Sequence, residues 1–253
     1  ARRRLGLAEV VNGTGGVEVT GVRSVRDVVL DARLRAVIPD EAREGAIAGA
    51  LALAETAIGA PGQGLDGRLA AFFDAVSALS VDPTSAAARD GVALQGRQLA
   101  ASFNSTARGL ADTARLADVG VRNGVSELNA LTAEIAQLNA AITAAGGADL
   151  AALRDRQQLA VESLSKLTSV AVLTRADGGV DVTIPSGRPL VIGDTSYAIT
   201  LGSAPVTGNA RLTLGNVDIT TEVTSGKIGG LTYTRDTLIP GYQARLDDLA
   251  FGV

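Results

Sequence analysis

The sequence predicts a mainly α protein with an inserted β domain: an elongated antiparallel helical bundle around one very long helix, plus a small antiparallel β unit. Three observations carry this. An unbroken heptad frame runs from Thr84 to Ala145, the hydrophobic period changes from helical to two near Ser169, and a helical pattern returns after Val223. Residues 1–168 and 224–253 are therefore expected to form a helical domain with an N-terminal β-hairpin, and residues 169–223 a small β domain.

The elements follow in order. Leu5 to Val11 alternates, Asn12-Gly13-Thr14-Gly15-Gly16 supplies a turn, and Val17 to Val22 alternates again, which predicts the hairpin. Ser24 is placed to cap a short helix from Val25 to Leu34 that ends before Pro39. Asp40 and Glu41 then put acids at the positive end of an Ala/Leu helix reaching Ile58. After the breaker Gly59-Ala60-Pro61-Gly62-Gln63-Gly64, the residues Leu65, Leu69, Phe72, Phe73, Val76 and Leu79 make a helical stripe read as core, and Asp82-Pro83 stops it.

In the long stretch, one seam column reads Ala93, Ala100, Ala107, Ala114, Val121, Leu128, Ile135, Ile142. The other reads Gly96, Phe103, Leu110, Ala117, Gly124, Leu131, Leu138. Neither carries a charge, which is the requirement of a coiled-coil seam. At ~1.5 Å per residue such a helix is roughly 90 Å long. Small residues early in the seam let backbones approach closely, while Leu and Ile make the far end bulkier. The pattern fits a helix packed within its own domain, and it also fits one that runs beside other subunits of a fibre.

Gly146-Gly147 ends the long helix and Asp149 can cap another, with Leu150, Leu153, Gln157, Leu164 and Leu167 facing inward. Short strands are expected over Val170–Leu173, Val180–Ile184, Leu190–Ile192, Tyr197–Leu201, Leu212–Leu214 and Val217–Val223. A last helix runs through Arg235 and Asp236, to be broken or kinked at Pro240-Gly241, with Leu246, Leu249 and Ala250 on one apolar face.

Composition removes most chemistry. The 253 residues hold no Cys, His, Trp or Met, only 3% are aromatic, and the formal net charge is −4. Ser–His–Asp and Cys–His catalysis and ordinary zinc or haem sites are excluded. Arg2-Arg3-Arg4 is too short for a nucleic-acid patch, and the longest apolar run, Ala46 to Ala54, is too short to span a bilayer. No nucleic-acid partner and no membrane insertion are expected. Gly226-Lys227 lacks the glycine and Ser/Thr of a phosphate loop, Ser186 has no base, and Asp247-Asp248 point to different sides of a helix. Asn12-Gly13-Thr14 and Asn104-Ser105-Thr106 are chance glycosylation triplets. No catalytic, cofactor-binding or metal-ligating residue is assigned, and the protein is not expected to be an enzyme. No signal peptide is visible, and the missing initiator Met with a start in mid-strand suggests an excised fragment.

Several blocks together carry a resemblance. Leu69-Ala70-Ala71-Phe72-Phe73-Asp74-Ala75 with Asp82-Pro83-Thr84-Ser85 and Arg89 is the first, and Val125-Ser126-Glu127-Leu128-Asn129-Ala130-Leu131 followed by Ile135-Ala136-Gln137-Leu138-Asn139-Ala140-Ala141-Ile142 the second. Asp177-Gly178-Gly179-Val180, Gly187-Arg188-Pro189-Leu190-Val191, and Ser225-Gly226-Lys227-Ile228-Gly229-Gly230-Leu231 with Arg235-Asp236, Ile239-Pro240 and Leu246-Asp247-Asp248-Leu249-Ala250 complete them. In this order they resemble the flagellar hook-associated protein 1 family. Asp155-Arg156-Gln157-Gln158 departs from its pattern by losing a second Arg-Asp, and the family's terminal heptad segments are missing from both ends.

The resemblance implies an extracellular structural adaptor joining hook to filament, required for flagellum assembly and motility. It also implies type III export without a cleaved signal peptide. Expected partners are copies of itself in a ring, the flagellar hook protein, the next junction protein or filament, and a cytosolic export chaperone. Without the terminal segments the fragment is expected to be a soluble monomer. A flagellin-like filament subunit and a β-domain adhesin are the alternatives.

Overall fold

A computed structural model describes residues 2–10, 16–25, 28–145, 149–204 and 207–253, with side chains from residue 36 onward. Strands β1 (Arg2–Val10) and β2 (Gly16–Val25) pair antiparallel, as the alternation predicts, with a register shift between Gly6 and Leu7. The hairpin turn and Gly146-Gly147 lie outside the described residues.

Helix α1 (Val28–Ile58) is continuous through Pro39, where a break was expected. A proline inside a helix removes one backbone donor and crowds the preceding turn. Here Pro39 is buried, so packing of its ring offsets the local cost. Helices α2 (Leu65–Val81), α3 (Ala86–Ala144) and α4 (Asp149–Leu167) fall where the periodicity put them.

Next come a sheet ordered β3 (Ala171–Thr174), β4 (Val180–Thr183), β5 (Pro189–Ile192), β6 (Thr195–Ser196), and a second ordered β7 (Ile199–Ser203), β8 (Ala210–Leu214), β9 (Val217–Asp218), both antiparallel. The strand expected over Val217–Val223 stops at Asp218. The Asp218 carboxylate accepts the Thr220 N–H at 2.9 Å, and backbone turns follow, so the side chain competes with the ladder. Helix α5 (Gly226–Tyr233) runs into a π-helical turn (Thr234–Leu238) and then α6 (Ile239–Phe251). Pro240 does not interrupt the helix. It sits in the first turn of α6, where its missing N–H costs least, directly after the widened π turn.

The chain divides into two compact units, residues 1–44 with 121–230 and residues 45–120 with 231–253. This division follows contacts, whereas the expected one followed element type: the β elements share a unit with the second half of α3 and with α4. In the other unit, Ala54 of α1, Leu65 of α2, Leu99 and Leu110 of α3, and Ile239 and Leu246 of α6 form the core, with Leu69, Phe72, Phe103 and Tyr242 against it. A close approach between helices in this unit lies off the seam, where a Cβ on Gly109 would lie 2.5 Å from that of Ala57, while the seam glycine Gly96 faces the Phe72 ring.

Along α3 the heptad columns hold at Val121, Leu128, Ile135 and Ile142 and at Leu110, Ala117 and Leu138, all buried. At the start they fail. Ala93 and Ala100 are exposed, while Leu99, Thr106 and Thr113 are buried one position away. From Leu99 to Ile142 the buried stripe recurs about every 3.6 residues, the pitch of a straight helix. A strict heptad seam needs ~3.5 and supercoiling.

Candidate functional site

The start of α3 is built by local polar chemistry. Asp82 Oδ1 accepts from the Thr84 N–H and hydroxyl at 3.2 and 2.9 Å, Ser85 Oγ caps the helix by accepting the Ala88 N–H at 3.2 Å, and the Arg89 guanidinium donates to the Thr84 carbonyl at 2.9 Å. The Asp82-Pro83-Thr84-Ser85 block with Arg89 is thus a helix start. Beside it, Phe72 packs on the core, but Phe73, expected there too, is 52% exposed. Consecutive helical residues lie ~100° apart, so one face cannot take both; the rings meet edge to face at 5.5 Å. Phe73, Val76, Val81 and Leu94 leave this unit with large exposed apolar side chains.

The second half of α3 carries the β elements. Asn139 is buried in mid-helix, and its amide donates to the Val180 and Gly193 carbonyls at 2.7 and 2.5 Å. Its oxygen accepts the Val180 N–H at 2.9 Å and the Gln157 amide at 2.8 Å. Asn129 does the same for the second sheet, donating to the Ile199 carbonyl at 2.8 Å and accepting the Ile199 N–H at 2.9 Å. Asn129 thus takes the place of a strand residue on the free edge of β7, while Asn139 fills the gap between Val180 of the inner strand β4 and the Gly193 turn, beyond the end of the β4–β5 ladder. The chain enters and leaves the β elements side by side: the Ser169 N–H donates to Ser225 Oγ at 3.0 Å, and Gly226, at φ +67°, presses on Leu167 and Thr168 so closely that a Cβ would lie 2.4 Å from the Leu167 carbonyl carbon. Gly226-Lys227 is therefore a packing point.

Arg235 holds the other unit. In the π turn, with its side chain 2% exposed, it donates to Asp118 at 2.6 Å and makes a two-pronged contact with Asp236 at 2.8 and 2.6 Å. Burial lowers its pKa, but the hydrogen bonds and charges of Asp236 and Asp118 outweigh that and raise it above its ordinary value, keeping it charged. Sequence reading singled out Arg235 and Asn139 only as parts of a resembling pattern. A polar residue in an otherwise apolar stripe, as at Asn139, is the signal that was available.

The remaining candidates bind nothing evident. Ser186 donates to Glu222 at 2.5 Å, Arg188 reaches both oxygens of that carboxylate, and these contacts hold its pKa below the ordinary value. Asn104 donates to the Ala100 carbonyl within α3, Asp247 and Asp248 are exposed, and the Asn12 triplet lies largely outside the described residues. Arg156 pairs with Glu134 of the same chain at 3.0 Å, at the position where the resemblance put a subunit contact in doubt. Among the described residues there is no group of three or more potential metal ligands, and no helix is long and apolar enough to cross a membrane.

The fold thus presents buried polar clamps and exposed apolar side chains. The family described as flagellar hook-associated protein FlgK helical domain matches residues 37–253, and the chain belongs to that family. Flagellar hook-associated protein 1 of Salmonella typhimurium (strain LT2) is 26% identical over 199 residues, 74% of this chain and 36% of that protein. Its counterpart in Escherichia coli (strain K12) is 25% identical over 244 residues, 88% of this chain and 44% of that protein. The flagellar hook junction protein FlgK from Burkholderia pseudomallei shares the fold, with a TM-score of 0.74 at 22% identity over 85% of this chain and 40% of that one. The chain thus spans less than half the length of each of these relatives.

Proposed function

We propose that this chain is the helical core and β module of a structural adaptor at the junction of the bacterial flagellar hook and filament. The observation that carries this is the family match over residues 37–253, which favours the adaptor over the filament-subunit and adhesin readings. The mechanism is packing. The exposed apolar side chains around the start of α3 supply contact surface to copies of the chain in a ring, to the hook protein and to the next junction protein or filament, and the β module, residues 169–223, faces outward. The protein is exported through the flagellar type III system with a cytosolic chaperone and works outside the cell. The absence of cysteine suits that route, since no thiol can cross-link in transit. Adding the full-length protein to isolated hooks and imaging them by electron microscopy tests the reading. A terminal ring that stops after a layer or two is expected. Open-ended growth would make it a filament subunit, and no binding would remove the adaptor role.

A further inference from the structure

The Asn139 amide makes four hydrogen bonds, the full capacity of two N–H donors and two lone pairs, to three separate segments: the first residue of β4, the Gly193 turn between β5 and β6, and α4. About three turns earlier on the same helix, Asn129 takes both backbone groups of Ile199 at the start of β7. The sheets are also tied to each other. Glu222, just past β9, grips Ser186 and Arg188 of the β4–β5 turn. Ser225 then closes the module onto Ser169. Val182, Ile184, Leu190, Ile199, Leu212 and Ile219 are all sealed from solvent within it.

We infer that α3 clamps both sheets, through Asn139 between β4 and the Gly193 turn and Asn129 on the edge of β7, and that the β module opens only as one cooperative block, with the Asn139 amide as its latch. Freeing either clamp exposes sealed apolar side chains and strains the ties to the other sheet, so the openings are coupled. This conformational device does not depend on the assembly reading.

Hydrogen exchange on the whole chain, with the variants N139D, N139L and N129D, tests it. In N139D a carboxylate still accepts from Val180 and Gln157 but faces the Val180 and Gly193 carbonyls without a proton to give. At neutral pH, exchange across 171–174, 180–183, 189–192, 199–203 and 210–214 should accelerate by one common factor of roughly a hundredfold, with 99–117 and 239–246 unchanged. Burial and the two carbonyls raise the pKa of the introduced carboxyl in the folded protein. Its deficit is therefore small below the unfolded value of ~3.9 and complete above the raised folded one, because a protonated carboxyl regains one donor. N139L should show no such recovery on acidification. N129D should accelerate both sheets together, and it carries the question by itself if N139D does not fold. Acceleration confined to the neighbours of each substituted residue, or an N139D deficit matching that of N139L at every pH, would overturn the inference.

Discussion

Between Ala86 and Gly120, α3 buries Leu99, Thr106, Leu110, Thr113 and Ala117 and leaves Leu94, Leu116 and Val119 exposed. Between Val121 and Ala144 it buries Val121, Val125, Leu128, Thr132, Ile135, Ala136, Leu138, Asn139 and Ile142, and no large aliphatic side chain there is exposed. The helix is one element with one pitch, so the difference lies in what surrounds each half. The second half finishes its packing inside its own chain, on β elements clamped by two asparagines. The first half keeps apolar side chains at the surface.

The contrast can be broken or sharpened by substitution. Arg235→Ala should have the largest effect, about 3–5 kcal/mol by urea unfolding, since it deletes the buried cation that Asp118 and Asp236 hold. That loss would show that the unit containing the sparsely buried half still has an anchor of its own. Leu128→Ala, at a side chain with no exposure, should cost about 2–5 kcal/mol, and Leu94→Ala, at a half-exposed one, a small fraction of that. Equal costs would erase the distinction between the halves. Acidification should loosen the β-bearing unit through Glu222. The Glu222 pKa is depressed in the folded state by the hydrogen bonds of Arg188 and Ser186, so its contribution is complete above the unfolded value near 4.5 and is lost as pH falls through the folded one. Glu222→Gln should flatten that part of the stability–pH curve. Ala100→Gln should be nearly silent, within about 0.5 kcal/mol, because Ala100 itself faces solvent.

Much of this was legible in the chain. Gly and Pro punctuation located α2, α3 and α4, and the change of period at Ser169 located the β elements, because these signals act on nearest neighbours in sequence. What escaped was decided by distant partners. Pro39 stays helical because its ring is buried, Thr234–Leu238 widens into a π turn where Arg235 meets Asp118, and the first seam column rotates out of the core because the helix keeps its natural pitch. Asn139 was visible as a polar residue within an apolar pattern, but its four acceptors and donors lie on segments that sequence spacing does not bring together.

The lack of native cysteine makes the most direct test clean. Single cysteines placed in turn at Ala93, Ala100, Ala107, Ala114, Val121, Leu128, Ile135 and Ile142 would report the accessibility of one column by their rate of reaction with a maleimide. The structure predicts fast labelling at positions 93 and 100, slower labelling at 107 and 114, and almost none from 121 to 142. Uniform protection along the whole column in the free chain would contradict it, and would mean that α3 is a supercoiled seam sealed against a partner from end to end.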